Sequence, residues 1–198
     1  MREHFHAELD YQDKLARFLE NHDEPRAAAT FAPNQHAAAA VLTFLLPGLR
    51  FFNQGQSEGR LKRIPPHLGR GPDEPVNPTV RQIYERLLDV LRRPAVRNGQ
   101  WQLLECVPAF DGNGSSDNFI ACTWQEPEGE RLIVAVNYSA HQSQCYVRLP
   151  FSELGDKQWT LKDLFSDARY DRDGRDLQTR GLYLDVGPWQ HHAFEMRN

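Results

Sequence analysis

One short run, Asn21-His22-Asp23-Glu24-Pro25-Arg26, concentrates the groups of this 198-residue sequence that could act together chemically. An apolar approach, Phe18-Leu19, and Glu20 lead into it. The run sets an imidazole beside a carboxylate, with an amide and a guanidinium close by. Together such groups can bind the hydroxyls of a ligand from several directions. The same residue types also cap helices and close turns, so on their own they do not decide between a site and a loop.

Other groupings are thinner. His4 and His6, and His191 and His192, stand in pairs without the further ligands a metal centre needs. The run Asp171-Arg172-Asp173-Gly174-Arg175-Asp176 resembles the start of a calcium loop, but the bidentate glutamate that closes such a loop is missing, and a hairpin turn is expected there instead. Neither metal nor cofactor is expected. Trp101, Trp124, Trp159 and Trp189 could stack on sugar rings, yet aromatic residues in strands usually fill a core. Cys106, Cys122 and Cys145 are odd in number and widely spaced, which suits reduced strand residues. Arg60, Lys62, Arg63 and Arg70 put positive charge on one loop, either solvated or edging a substrate.

The elements that must position these groups fall into two kinds. Residues 8–16 read as the end of a helix and 17–21 as a short strand entering the His22-Asp23 loop. A helix capped by Asn34 should run to Leu46, where Pro47-Gly48 stops it. Residues 49–53 form a compact apolar run between glycines, expected to be a buried strand. Strand, helix, strand implies a parallel crossover. A Gly-, Pro- and Arg-rich loop occupies 55–77. Asn77-Pro78 then opens the clearest helix, with Val80, Ile83, Tyr84, Leu87, Leu88 and Leu91 at helical spacing and Arg92-Arg93-Pro94 at its end. After Gly99 the pattern changes to short strands over 101–107, 118–124, 131–138, 144–149, 159–165, 182–186 and 190–195. In the third of these, Leu132, Val134, Val136 and Tyr138 share one face by period two. The fold class expected is therefore α/β followed by all-β, with a boundary near 98/99 and an antiparallel sandwich after it.

Composition excludes more than it specifies. The net charge is −4, with 23 Lys and Arg interspersed among 27 Asp and Glu. That gives no reason to expect nucleic acid or an acidic membrane surface as partner. No apolar run approaches the ~20 residues of a membrane helix. The N-terminus lacks the apolar centre of a signal peptide, which favours the cytoplasm but leaves localisation unknown for a longer parent.

Asn21-His22-Asp23, with Phe18 ahead and Pro25-Arg26 behind, resembles the motif at the end of the seventh barrel strand in the alpha-amylase superfamily, glycoside hydrolase family 13. Leu46-Pro47-Gly48-Leu49-Arg50-Phe51-Phe52-Asn53-Gln54-Gly55-Gln56 is similar to that family's eighth strand and its exit. The helix from Pro78 would be the last barrel helix, and the strands after Gly99 the family's C-terminal β domain. The resemblance thus implies residues 1–98 as the end of a TIM-type (β/α)8 barrel and 99–198 as an antiparallel β-sandwich. Where family members often carry a carboxylate, this chain has Gln56-Ser57-Glu58.

The resemblance implies roles as well. Asp23 would be a carboxylate that stabilises the transition state, and His22 would contact a hydroxyl of the same sugar. Asn21 and Arg26 would belong to the substrate-binding set, Arg26 either touching substrate or holding the loop or an adjacent carboxylate. The family's nucleophile and acid/base have no counterpart here, and a whole barrel takes roughly 250 residues. The expected function is the C-terminal part of a retaining hydrolase or transglycosylase for α-glucans or α-glucosides, inactive alone. Its ligand would be an α-linked oligosaccharide, and its exposed barrel-remnant surfaces would invite self-association. The alternative is a non-catalytic carbohydrate-binding or assembly module.

Overall fold

The helix after residue 77 forms where local chemistry demands it. In the computed structural model, which describes residues 2–127 and 129–198, this helix spans Pro78–Leu91. The Asn77 side chain accepts from the Thr79 and Val80 amides at 3.1 and 3.2 Å. Proline at the first helical position loses no hydrogen bond, because that amide has no partner in any helix. Val80, Tyr84, Leu87 and Val90 form the buried stripe.

In chain order the helices are α1 (Arg2–Phe5), α2 (Leu9–Asp13), α3 (Ala27–Thr30), α4 (Pro33–Phe44), α5 (Pro78–Leu91), α6 (Pro94–Asn98) and α7 (Gly174–Thr179). The strands are β1 (Ala16–Arg17), β2 (Leu49–Arg50), β3 (Gln100–Leu104), β4 (Cys106–Pro108), β5 (Phe119–Gln125), β6 (Arg131–Asn137), β7 (Ser143–Val147), β8 (Gln158–Asp163), β9 (Arg169–Asp173), β10 (Leu182–Val186) and β11 (His191–Arg197).

The crossover expected from the sequence is present: β1 and β2 pair in parallel, Ala16 with Leu49 and Arg17 with Arg50. Three details differ. Asn34 is not the cap of α4; the helix begins at Pro33, two residues earlier than that cap implies, with Ala32 ahead of it and no side-chain cap. The preset φ of proline does the work assigned to Asn34. The strands are only two residues each, so most of 17–21 and 49–53 is irregular chain. Nor is the second run buried: Leu49 is 69% and Phe51 43% exposed. Their exposure leaves that side of the small sheet open. Helix α4 itself is buried on nearly every side, Ala37 to Ala40 included, so its small residues set the close approach to its surroundings.

All the remaining strands are antiparallel. One sheet has the order β3-β5-β6-β11-β8-β9, the other β10-β7-β4. The larger sheet lies between two cores. On one side Ile120, Cys122, Trp124, Leu132, Val134 and Val136 pack with Phe44, Tyr84 and Leu87 of the helices. On the other, Phe119, Ile133, Ala135 and Phe194 pack with Cys145, Val147, Leu182 and Leu184 of the smaller sheet. Alternation along β6 therefore feeds two apolar layers, which is why the strand reads as apolar at nearly every position. The Trp124 indole donates to the Leu45 carbonyl at 2.8 Å, fixing helix to sheet.

Strand β9 and helix α7 were not expected. Asp173, read as part of a hairpin turn, instead caps α7 by accepting from the Arg175 and Asp176 amides at 2.9 and 3.2 Å. Strand β9 is a polar edge strand, Arg-Tyr-Asp-Arg-Asp, whose alternation is too weak to mark it. Cys106, Cys122 and Cys145 lie on β4, β5 and β7 and form no disulfide with one another. Trp124 and Trp159 are buried core residues. Among the described residues no helix is long and apolar enough to cross a membrane, and no cluster of three His, Cys, Asp or Glu could hold a metal.

Candidate functional site

Where the chain leaves β1, it turns through the run that opened the sequence reading. Asn21 shapes that turn: its side-chain oxygen accepts from the Asp23 amide at 2.8 Å and the Glu24 amide at 3.0 Å. The turn pushes His22 and Asp23 outward, with side chains 64% and 76% exposed and Nε2 of the first 3.1 Å from Oδ2 of the second. The Arg63 guanidinium reaches over to donate to the Asp23 carbonyl. Asp23 and His22 thus form one polar edge open to a ligand.

Arg26 has a different setting. It is buried, and its Nη2 lies 3.1 Å from Oε1 of an equally buried Glu20 and donates to the Gln54 carbonyl at 2.9 Å. Glu20 accepts as well from the Ala27 amide at 2.6 Å and from Asn53 Nδ2 at 3.2 Å. The Asn53 amide donates to Gln56 Oε1 at 3.1 Å. Gln56 Nε2 then donates to the Tyr84 hydroxyl at 2.8 Å, and that hydroxyl lies 2.9 Å from His36 Nε2. The sense of the bond between the Tyr84 hydroxyl and His36 follows the tautomer of the imidazole. A continuous polar chain therefore ties the turn after β1 to the exit of β2 and to helices α4 and α5. Burial raises the Tyr84 hydroxyl pKa and lowers that of the His36 imidazole, so both stay neutral near pH 7.

The loop after Gly55 folds back over the turn. Glu74 braces it by accepting from the Leu61 and Lys62 amides at 2.9 and 3.2 Å. Hydrogen bonding from the Leu61 amide foremost holds its carboxyl below the usual range. Between loop and turn lies a cleft of about 350 Å³. Its walls include His22, Arg26, Asn53, Gln54, Arg60, Lys62 and Arg70, with Ile64, Pro65 and Leu68 as the apolar part. The structure thus brings His22 and Arg26 to one cleft, with Asn21 and Asp23 in the same turn. It also adds Glu20, Asn53, Gln56, Tyr84 and His36, which the sequence reading did not assign. The available signal was polarity at buried spacing: Tyr84 sits in the apolar stripe of α5, and Glu20 follows an apolar strand.

The arrangement can grip a polyhydroxylated ligand through one carboxylate, one imidazole and backbone carbonyls. Its overall fold is that of the C-terminal part of alpha-amylase-type glycoside hydrolases. The alpha-amylase of Geobacillus thermoleovorans, solved with acarbose, superposes with a TM-score of 0.71 at 18% identity, over 96% of this chain and 42% of that one. A maltogenic alpha-amylase of Thermotoga neapolitana gives 0.67 at 14% identity, over 91% of this chain and 40% of that one. The trehalose-6-phosphate hydrolase of Bacillus licheniformis gives 0.59 at 15% identity, over 96% and 45%. The chain thus spans less than half the length of the solved structures it resembles. No family model and no curated protein sequence matches it.

Proposed function

We propose that this chain is the C-terminal part of a retaining alpha-amylase-type enzyme acting on α-glucans or α-glucosides. Residues 1–98 supply the last two strand-helix units of its barrel and 99–198 its C-terminal β domain. One observation carries the reading. An Asn-His-Asp turn leaves the C-terminal end of one parallel strand, beside a second, within a fold shared with the C-terminal part of amylases. Barrel enzymes place their chemistry at that end of the strands.

In this reading Asp23 binds two neighbouring sugar hydroxyls and favours the distorted ring of the transition state. A negative charge there also opposes ionisation of a nearby acid, keeping it protonated for the leaving group. His22 donates to the same sugar. Interactions of this kind raise turnover when they tighten at the transition state. Asn21 serves by setting the angle of both side chains. Arg26 serves by walling the cleft, its charge answered by Glu20. Retention requires a nucleophile and an acid/base about 5–5.5 Å apart. The walls of this cleft carry neither, so the two come from the rest of the parent barrel.

The test is an assay of the pure chain on maltooligosaccharides and aryl α-glucosides. No turnover is expected. Robust turnover that survives Asp23→Asn would overturn both the assigned role and the partial-barrel reading.

A second reading, a carbohydrate-binding module, has one observation of its own. Tyr170, Tyr183, His192 and Phe194 line a separate cleft of about 210 Å³ in the β-rich half, and Tyr183 is 40% exposed. Calorimetry with glucans decides for it if submillimolar binding is lost in Tyr183→Ala and unchanged in Asp23→Asn.

A further inference from the structure

The cleft above His22 is cationic in a protein of net charge −4. Arg26, Arg60, Lys62 and Arg70 contribute to its walls, and no carboxylate does. A neutral glucan needs hydroxyl acceptors as much as donors, and such a wall supplies cations in excess of that need.

The charges are poorly answered by the protein itself. Arg26 has Glu20. Arg60 lies against Arg26: a Cβ added to Gly55 would sit 2.4 Å from Arg60 Cδ and 2.8 Å from Arg26 Nη2. Two guanidinium groups thus share one corner, and among the described residues only Arg26 has a carboxylate partner. Among the described residues the Arg60 Nε has no hydrogen-bond partner. Lys62 and Arg70, on the exposed loop, form no ion pair among the described residues. Of the nearby acids, Glu74 accepts from the loop backbone while its charge acts on Lys62 and Arg26, Glu58 lies 3.7 Å from Arg81, and Asp23 lies 3.1 Å from His22, which leaves the cations only partly answered.

We propose that this cleft takes a sugar bearing a phosphate monoester, the phosphate against Arg60, Lys62 and Arg70 and the sugar ring against His22, with Asp23 of the same turn reaching it from outside the cleft wall. This rests on the α-glucoside reading above and narrows its substrate class. A phosphate monoester carries about −1.5 to −2 charges at neutral pH, which suits several unpaired cations better than one carboxylate would. Its oxygens match the fork of an arginine. A volume of about 350 Å³ falls within the roughly 300–1,000 Å³ of small-ligand sites.

Titration calorimetry on the whole chain tests this with glucose 6-phosphate, glucose, inorganic phosphate and glucuronate. Glucose 6-phosphate should bind at least tenfold more tightly than each of the other three. Its affinity should fall as salt rises and drop at least tenfold in the double variant Lys62→Gln, Arg70→Gln. Both positions are exposed, so an unchanged thermal midpoint should show that the fold persists. Equal binding of glucose and glucose 6-phosphate overturns the proposal. If that binding still depends on Asp23, the neutral α-glucoside reading survives. Inorganic phosphate binding as tightly as the sugar phosphate, or glucuronate doing so, also overturns it, as does failure of all four to bind.

Discussion

Glu20 decides how the site is held. It is 1% exposed and answers Arg26, the Ala27 amide and Asn53 together. Removing one partner of a buried ion pair strands the other charge. Glu20→Gln should therefore destabilise the chain by about 3 kcal/mol, read as a lower urea midpoint with an unchanged slope. His36 adds a pH dependence. Burial lowers its pKa from 6.5, so below that value the unfolded chain takes up a proton that the folded chain refuses. His191 is shifted the same way, by burial first. Stability should then be full above pH 6.5 and decline as the pH falls below it. Urea unfolding at pH 8 and pH 5.5 measures the decline, and His36→Gln should reduce it. None of this polar chain was legible from spacing. Glu20, Asn53, Gln56, Tyr84 and His36 are far apart in sequence and meet only through tertiary packing. What was legible was the neighbouring Asn21-His22-Asp23, because its groups are adjacent. For Arg26 the sequence left contact and scaffold both open, and burial favours the scaffold.

At the scale of elements, legibility follows how local the cause is. The cap, the proline and most of the stripe of helix α5 could be read because they lie within its own residues, though Val90 is buried where Ile83, Leu88 and Leu91 of the expected stripe are only half-buried. Asn77→Ala should cost about 1 kcal/mol in thermal or urea unfolding, since two amides lose their acceptor. Strands β5, β6 and β10 were legible for the same reason, being apolar and bounded by turns. Strand β9 was not, because its polar residues gain strand geometry only from pairing with β8. Likewise β2 looked buried, since an apolar run carries no sign of whether a neighbour will cover it.

That uncovered run matters for the whole molecule. Phe18 and Phe51 meet edge to face at 6.4 Å on the open side of the parallel pair, both more than 40% exposed, with Leu49 beside them. Among the described residues each of β1 and β2 pairs only with the other, so each keeps an unpaired edge. Such edges and apolar faces promote association. Sedimentation velocity should show the chain associating as its concentration rises, with Leu49→Glu shifting it toward monomer. A wild-type chain that stays monomeric throughout would show that this face is covered without a partner. The larger antiparallel sheet, by contrast, is covered on both faces, by the helices on one side and the smaller sheet on the other.

The central claim is that the surviving wall of an amylase-type site still recognises sugar at the turn after β1. Amide chemical-shift mapping on the labelled chain, titrated with an α-linked oligosaccharide and with a sugar phosphate, addresses it most directly. The expected result is a cluster of shifted amides at Asn21, His22 and Asp23 and along the loop carrying Arg60 and Lys62, lost in Asp23→Asn. Shifts confined to the strands around Tyr170 and Tyr183, with Asn21 to Asp23 unmoved, would contradict it.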